Sequence, residues 1–133
     1  MLQFLRKPIG VFVVLHGVAH LLATSVYWKL NESEDLVYDT TILGGRLDLG
    51  ETGIWIFGLI WLIAGLLTAV AGVGVLRQSA WARPLLLGVT LFSLAICLLV
   101  VESARIGVLV NLAILALIAT RGQVLISQPA SAR

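Results

Sequence analysis

Four long stretches of this sequence carry almost no charge, and they constrain the chain more than anything else in it. A helix that crosses a bilayer needs about 20 mostly apolar residues, with a range of roughly 17 to 25. Residues 8–28, 53–76, 84–101 and 106–120 answer to that requirement. The fourth is the shortest and leans on Arg105 and Arg121 as interface anchors at its ends. Of the 133 residues, 59% are hydrophobic and only 12% charged, and the mean hydropathy is +1.04. A water-soluble domain of this length has too little interior to hide that surface. The expected fold class is therefore all-α, an integral membrane four-helix bundle in a single domain over residues 1–121, with a polar tail over 122–133.

Charge placement orients the bundle. All seven acidic residues fall on one side of the four-span scheme: Glu32, Glu34, Asp35, Asp39, Asp48 and Glu51 in the first connection, Glu102 in the third. Arg6, Lys7, Arg77, Arg83, Arg121 and Arg133 fall on the other side, against Lys29, Arg46 and Arg105 on the acidic one. The excess of Lys and Arg places both termini and the short turn from Arg77 to Arg83 in the cytoplasm, N-in and C-in, in a bacterial inner membrane. The loop 29–50 is then periplasmic. The first run is long for the apolar part of a signal peptide, holds two histidines, and is followed by no small-x-small cleavage site, so it reads as a spanning helix. The nine basic residues never form a patch with interleaved aromatics, which excludes a nucleic-acid partner.

Several local features have structural readings. Pro8 and Pro84 stand near helix starts, where a missing N–H costs nothing. Asp48-Leu49-Gly50-Glu51 has capping-box spacing, with Asp48 as N-cap and Glu51 reaching back. Gly44-Gly45 marks a tight turn before Arg46, which is placed to pair with Asp48, Glu51 or Glu102. Arg105 sits with Glu102 at the same membrane surface. Gly65-x-x-x-Ala69 is a small-x-x-x-small pair, suited to close packing inside the bundle or to a homo-oligomer face. The lone Cys97 lies in an apolar run and reads as a small buried hydrophobe.

Polar groups at membrane depth are costly, so His16 and His20 are the most informative residues. Four apart, they share one face of the first helix. Counting inward from Trp28 at about 1.5 Å per residue, His20 lies about 12 Å deep and His16 about 18 Å. Asn111, counted from Arg105, lies about 9 Å down the fourth helix, and Ser93, from Glu102, about 13 Å down the third. Trp55 and Trp61 on the second helix face the same layer. These six residues form a candidate ligand site in the periplasmic half; the competing reading is interhelical hydrogen bonding alone, at about 0.6 kcal/mol per contact. His16 and His20 are also the one candidate pair for a metal or haem, a weaker reading because zinc needs three or four ligands and bis-histidine haem needs two opposed ones. Catalytic templates are missing: Gly72-x-Gly74 lacks the strand-turn-helix of a phosphate loop, and Ser93 has no nucleophile elbow.

The runs Leu15-His16-Gly17-Val18-Ala19-His20, Thr40-Thr41-Ile42-Leu43-Gly44-Gly45-Arg46-Leu47-Asp48, Arg83-Pro84, and Arg105-Ile106-Gly107 with Asn111 resemble those of small bacterial four-helix inner-membrane proteins, loosely labelled transporter permeases and distantly DoxX-like. The resemblance spans most of the chain and implies the same four-span topology, without implying a reaction. Three functions follow as expectations. The first is binding of a small amphiphilic or lipid-like ligand at the polar layer, with His20 available for proton transfer. The second is an accessory or assembly subunit of a larger membrane complex. The third is a transporter subunit, the least favoured because the polar layer stops near the midplane.

Overall fold

The computed structural model describes residues 2–31 and 37–121. Glu32, Glu34, Asp35, Arg133 and the tail 122–133 lie outside the described residues. Four helices make up almost all of it: α1 (Leu2–Tyr27), α2 (Gly50–Leu76), α3 (Ala82–Leu99) and α4 (Arg105–Arg121). Between α1 and α2, a hairpin of two-residue strands, β1 (Thr41–Ile42) and β2 (Leu47–Asp48), pairs Thr41 with Asp48 and Ile42 with Leu47. Apart from this hairpin, the regular secondary structure of the described residues is all helical. Spans of 22, 27 and 18 residues in α1, α2 and α3 are long and apolar enough to cross a membrane; the apolar part of α4, Arg105–Thr120, is shorter.

The helices pack in chain order, α1 along α2, α2 against α3, α3 against α4. Each pair is antiparallel: the α2–α3 and α3–α4 connections are short, and the longer α1–α2 connection, which carries the hairpin, starts and finishes at the same end of the bundle. Residues at the turn end of one helix consequently meet residues at the same end of the next: Gly10 meets Gly72 and Leu76, Gly58 meets Tyr27 and Trp28, and Gly107 meets Cys97. All the described carboxylates gather at the end holding the α1–α2 and α3–α4 connections, here the acidic end. Arg6, Lys7, Arg77 and Arg83 gather at the other, the basic end.

The α1–α2 contact is the closest in the molecule, and glycine makes it so. A Cβ at Gly17 would stand 2.6 Å from the backbone nitrogen of Ala69 and 2.7 Å from the Gly65 carbonyl oxygen. One at Gly72 would stand 2.8 Å from the Val14 nitrogen. Glycines 58, 65 and 72 on α2 and 10 and 17 on α1 recur every seven residues, a seam along which two backbones touch. The small pair Gly65 and Ala69 is thus used inside the chain, against Gly17, and not as an outward face.

Two apolar clusters fill the interior. Val13, Ala71, Val75, Ala82, Leu86, Val89, Ile114 and Ile118 join all four helices toward the basic end. Ile42, Ile54, Phe57, Trp61, Ala64, Ile96 and Cys97 close the acidic end, with Ile42 bringing the hairpin down onto α2 and α3. The Leu43 N–H donates to the Leu99 carbonyl at 2.7 Å and holds it there. The outward faces are as apolar as the interior: Leu15, Leu22, Leu66, Leu91, Leu98 and Leu109 are all exposed. Such a girdle has no polar face to offer water, whereas lipid solvates it at no cost.

Three local expectations are corrected. Pro8 is not at a helix start, because α1 begins at Leu2 and carries Pro8 in its second turn. The capping box does not form: Gly50, at φ +65°, turns the chain so that α2 begins there with Leu49 as N-cap and no side-chain cap. Asp48 instead accepts the Gly50 N–H at 2.9 Å, while Glu51 turns outward to Lys29 and Tyr38, each at 2.8 Å. Arg46 makes no ion pair among the described residues; it and Glu102 line the same surface recess, with Leu43 and Gly44 between them. The tight turn at Gly44-Gly45 is as expected, both glycines having positive φ, and Pro84 falls in the first turn of α3.

Candidate functional site

The four polar residues among the six candidates meet in one layer. His20 (2% exposed), Ser93 (0%) and Asn111 (1%) come from α1, α3 and α4, and half-buried His16 lies one turn from His20. Their donors and acceptors leave little freedom. The His16 carbonyl can only accept, so His20 Nδ1 carries the proton it donates there, at 2.9 Å. Neutral His20 then accepts at Nε2, and the Ser93 hydroxyl donates to it at 2.8 Å. Ser93 Oγ in turn accepts from Asn111 Nδ2 at 2.9 Å, whose second N–H reaches the Gly107 carbonyl, also at 2.9 Å. The remaining atom of the amide, Oδ1, faces His16 Nε2 at 3.4 Å and accepts from it across the α1–α4 seam. One directional chain therefore links α1, α3 and α4, and Asn111 Nδ2 also lies 3.7 Å from Cys97 Sγ.

Thr24 extends the polar stripe in a way the sequence reading missed. It lies four residues beyond His20, and its hydroxyl reaches both the His20 carbonyl (3.2 Å) and the Gly58 carbonyl (3.3 Å). The spacing 16, 20, 24 was the available signal.

Trp61 joins the layer and Trp55 does not. The Trp61 ring lies 5.1 Å from that of His20. Six residues on a helix turn the side chain by about 240°, so Trp55 cannot share that face. It is exposed and stacked on Trp28 (5.3 Å between centroids, 15° between planes), and its carbonyl accepts the Trp28 indole N–H. The correction is one of register: Trp55 belongs to the surface of the acidic end.

A cavity of about 220 Å³ opens on this layer, lined among others by His16, His20, Trp61, Cys97, Gly107 and Val110. On the same α1–α4 seam, toward the basic end, lies a second cavity of about 350 Å³ with purely apolar walls, including Ile9, Val13, Leu86 and Ile114. The His16–Asn111 contact falls between the two on both helices and acts as a waist. Behind the wall of the first cavity one donor is left over. The Trp61 indole nitrogen is buried and has no hydrogen-bond partner among the described residues. Because nothing but a hydrogen bond compensates a buried N–H, that atom marks where an incoming acceptor would gain most. His16 and His20 do not gather with other ligating residues: no group of three or more His, Cys, Asp or Glu is present among the described residues.

The acidic end holds a separate charged cluster around Glu51, Lys29 and Tyr38. The Lys29 ammonium holds Glu51 below its ordinary value of 4.5, aided by the Tyr38 hydroxyl. Hydrogen bonds from Thr41 lower Asp39, and the Gly50 N–H lowers Asp48, both from 3.8. Lys29 is raised above 10.5 by the same contact with Glu51. Depressed carboxyls stabilise the loop above their ordinary values and lose that contribution as pH falls through the lowered ones; the raised ammonium contributes below 10.5 and is lost above it. Fluorescence of the stacked Trp28–Trp55 pair should stay flat from about pH 5 to pH 10 and change below about 4.5. A transition centred near pH 6.5 would assign the loop's stability to histidine instead. Lys29→Met should move the acid transition upward.

Comparison with protein families, with characterised proteins and with solved structures finds no match to this chain.

Proposed function

We propose that the chain is a four-span bacterial inner-membrane protein, N-in and C-in, whose α1–α4 seam takes the polar head of an amphiphile from the bilayer into the His16, His20, Ser93, Asn111 layer. The unpartnered Trp61 indole N–H carries this reading. Among the described residues of this layer it is the one buried polar side-chain atom left unsatisfied; it belongs to a residue that lines the cavity, and a shift of the indole ring would present it to a hydroxyl or carbonyl oxygen entering there. Half-buried His16, which lines the same cavity and donates through Nε2, keeps Nδ1 as an acceptor, so a head group bearing one donor and one acceptor fits. A cavity of about 220 Å³ has room for a head group, with the rest of the molecule left in lipid. The apolar girdle and the separation of charge to the two ends support the membrane placement. The resemblance to small four-helix inner-membrane proteins includes His16, His20 and Asn111 among the residues that carry it.

Native mass spectrometry of the protein released from mild detergent tests the ligand. The expected result is a retained non-protein mass that Trp61→Phe loses, since phenylalanine keeps the ring against His20 and Phe57 but removes the N–H. Equal retention by the variant refutes the site, and a stoichiometric protein partner in its place would favour the subunit reading. Topology is tested by cysteine labelling of intact cells, which the buried Cys97 leaves silent. Position 45 should label from outside and position 78 only after lysis; the reverse pattern overturns the orientation.

A further inference from the structure

One charged side chain is buried where no acidic side chain of the described residues reaches it. Arg6 is only 8% exposed, and its Nε and Nη1 find no hydrogen-bond partner among the described residues. A guanidinium is not relieved by losing its proton, because it stays charged in any protein setting. It needs an anion. All seven acidic side chains belong to the opposite end of the four-helix scheme; the 22 residues of α1 from Arg6 to Tyr27 alone put about 30 Å between the two ends. The counter-anion must therefore come from outside the set of acidic side chains.

The surroundings say which anion. Arg6, Ile9 and Val13 stand at spacings of three and seven, on one face of α1. Ile9 and Val13 line the apolar cavity of about 350 Å³, with Pro8, Phe12, Ile114 and Leu117. Arg6 thus lies one turn beyond the basic-end margin of a groove that opens sideways between α1 and α4. Lys7, Arg77 and Arg83 share that end and add positive potential. A cationic fork at the interface beside an apolar slot at acyl depth is complementary to one kind of molecule, since a free phosphate would leave the slot empty and an uncharged lipid would leave the fork unpaired.

We propose that an anionic phospholipid occupies this seam, its phosphate on the Arg6 guanidinium and one acyl chain in the cavity lined by Ile9, Val13, Leu86, Ile114 and Leu117. The site is separate from the polar layer: the His16–Asn111 waist lies between them. It rests on the membrane placement proposed above but not on the ligand proposed there.

The full chain, purified in a neutral detergent, is titrated with phosphatidylglycerol, phosphatidylcholine or inorganic phosphate, while retained lipid is followed by native mass spectrometry and thermal midpoint in parallel. Phosphatidylglycerol should be retained and raise the midpoint, phosphatidylcholine should bind about tenfold more weakly, and phosphate alone should do neither. Arg6→Gln should abolish the preference for the anionic lipid, and Arg6→Lys should keep part of it. Because Arg6 variants risk misfolding, Ala113→Phe gives a second arm: it fills the cavity from an exposed α4 position without touching the charge, and should lower retention of both lipids. Equal binding of the two lipids, or wild-type selectivity in Arg6→Gln, overturns the proposal. Full stabilisation by phosphate alone reduces the site to an anion site and overturns the lipid assignment. A chain that is monodisperse without detergent and takes up no lipid at all refutes the membrane placement itself, a result distinct from these.

Discussion

Gly17→Val is expected to abolish the folded protein. The new Cβ would arrive 2.6 Å from one backbone atom of α2 and 2.7 Å from another, and neither can move aside the way a side-chain tip can. Overpacking a core ordinarily costs about 1–3 kcal/mol. At this seam relief requires separating two helices along their whole contact, so the cost should reach or pass the top of that range. Gly65→Val attacks the same contact from the other helix, where a Cβ would sit 2.8 Å from the Gly17 carbonyl oxygen, and should fail in the same way. Gly88→Ala is the control. Nothing lies within 4 Å of a Cβ there, and alanine should stabilise α3 by about 0.5–1 kcal/mol. Yield of monodisperse protein in detergent and its thermal midpoint measure all three. A well-folded Gly17→Val protein would mean that α1 and α2 do not touch at the backbone.

Ser93→Ala is the second large effect. Ser93 alone links His20 to Asn111, so removing its hydroxyl strands a buried acceptor on one side and a buried donor on the other. Hydrogen bonds between membrane helices average about 0.6 kcal/mol, with a maximum near 1.7, whereas a stranded buried group costs about 1–3 kcal/mol. With two groups stranded at once, a loss of about 1–3 kcal/mol is expected. Replacing the set, His20→Leu with Ser93→Ala and Asn111→Leu, leaves only the half-buried His16 Nε2–H without its partner and should restore most of the stability. The triple variant therefore separates packing from function. If it folds like the wild type and no longer retains the small molecule, the layer exists for a ligand. If retention survives, the layer only joins helices and the proposed site is elsewhere.

Sequence reasoning located the helices to within a few residues, except at the start of α1, which runs six residues further toward the N-terminus than expected. It put His16, His20, Ser93 and Asn111 at one depth from rise per residue alone, and the structure brings them together. It missed in three places, each for want of a rotation or a long-range neighbour. Trp55 and Trp61 stand about 9 Å apart along α2, and the angle around the helix sends one outward and the other to His20. Asp48 and Glu51 have capping spacing, but Gly50 and the distant Lys29 decide what they bond. Arg6 reads as one of several interfacial cations until burial sets it apart.

What the sequence determined by itself is what one-dimensional solvation physics controls: which stretches leave water, how long they must be to do so, and which ends keep the carboxylates and the guanidinium groups. Each of those depends on a residue's own transfer free energy and not on what it touches. The tertiary structure alone decided the α1–α4 seam with its two cavities, the backbone contact at Gly17, the direction of the hydrogen-bond chain, and the two orphaned donors at Trp61 and Arg6. These depend on how helices rotate and pair, where small residues permit approach within a few tenths of an ångström and a single neighbour settles whether a polar atom is satisfied.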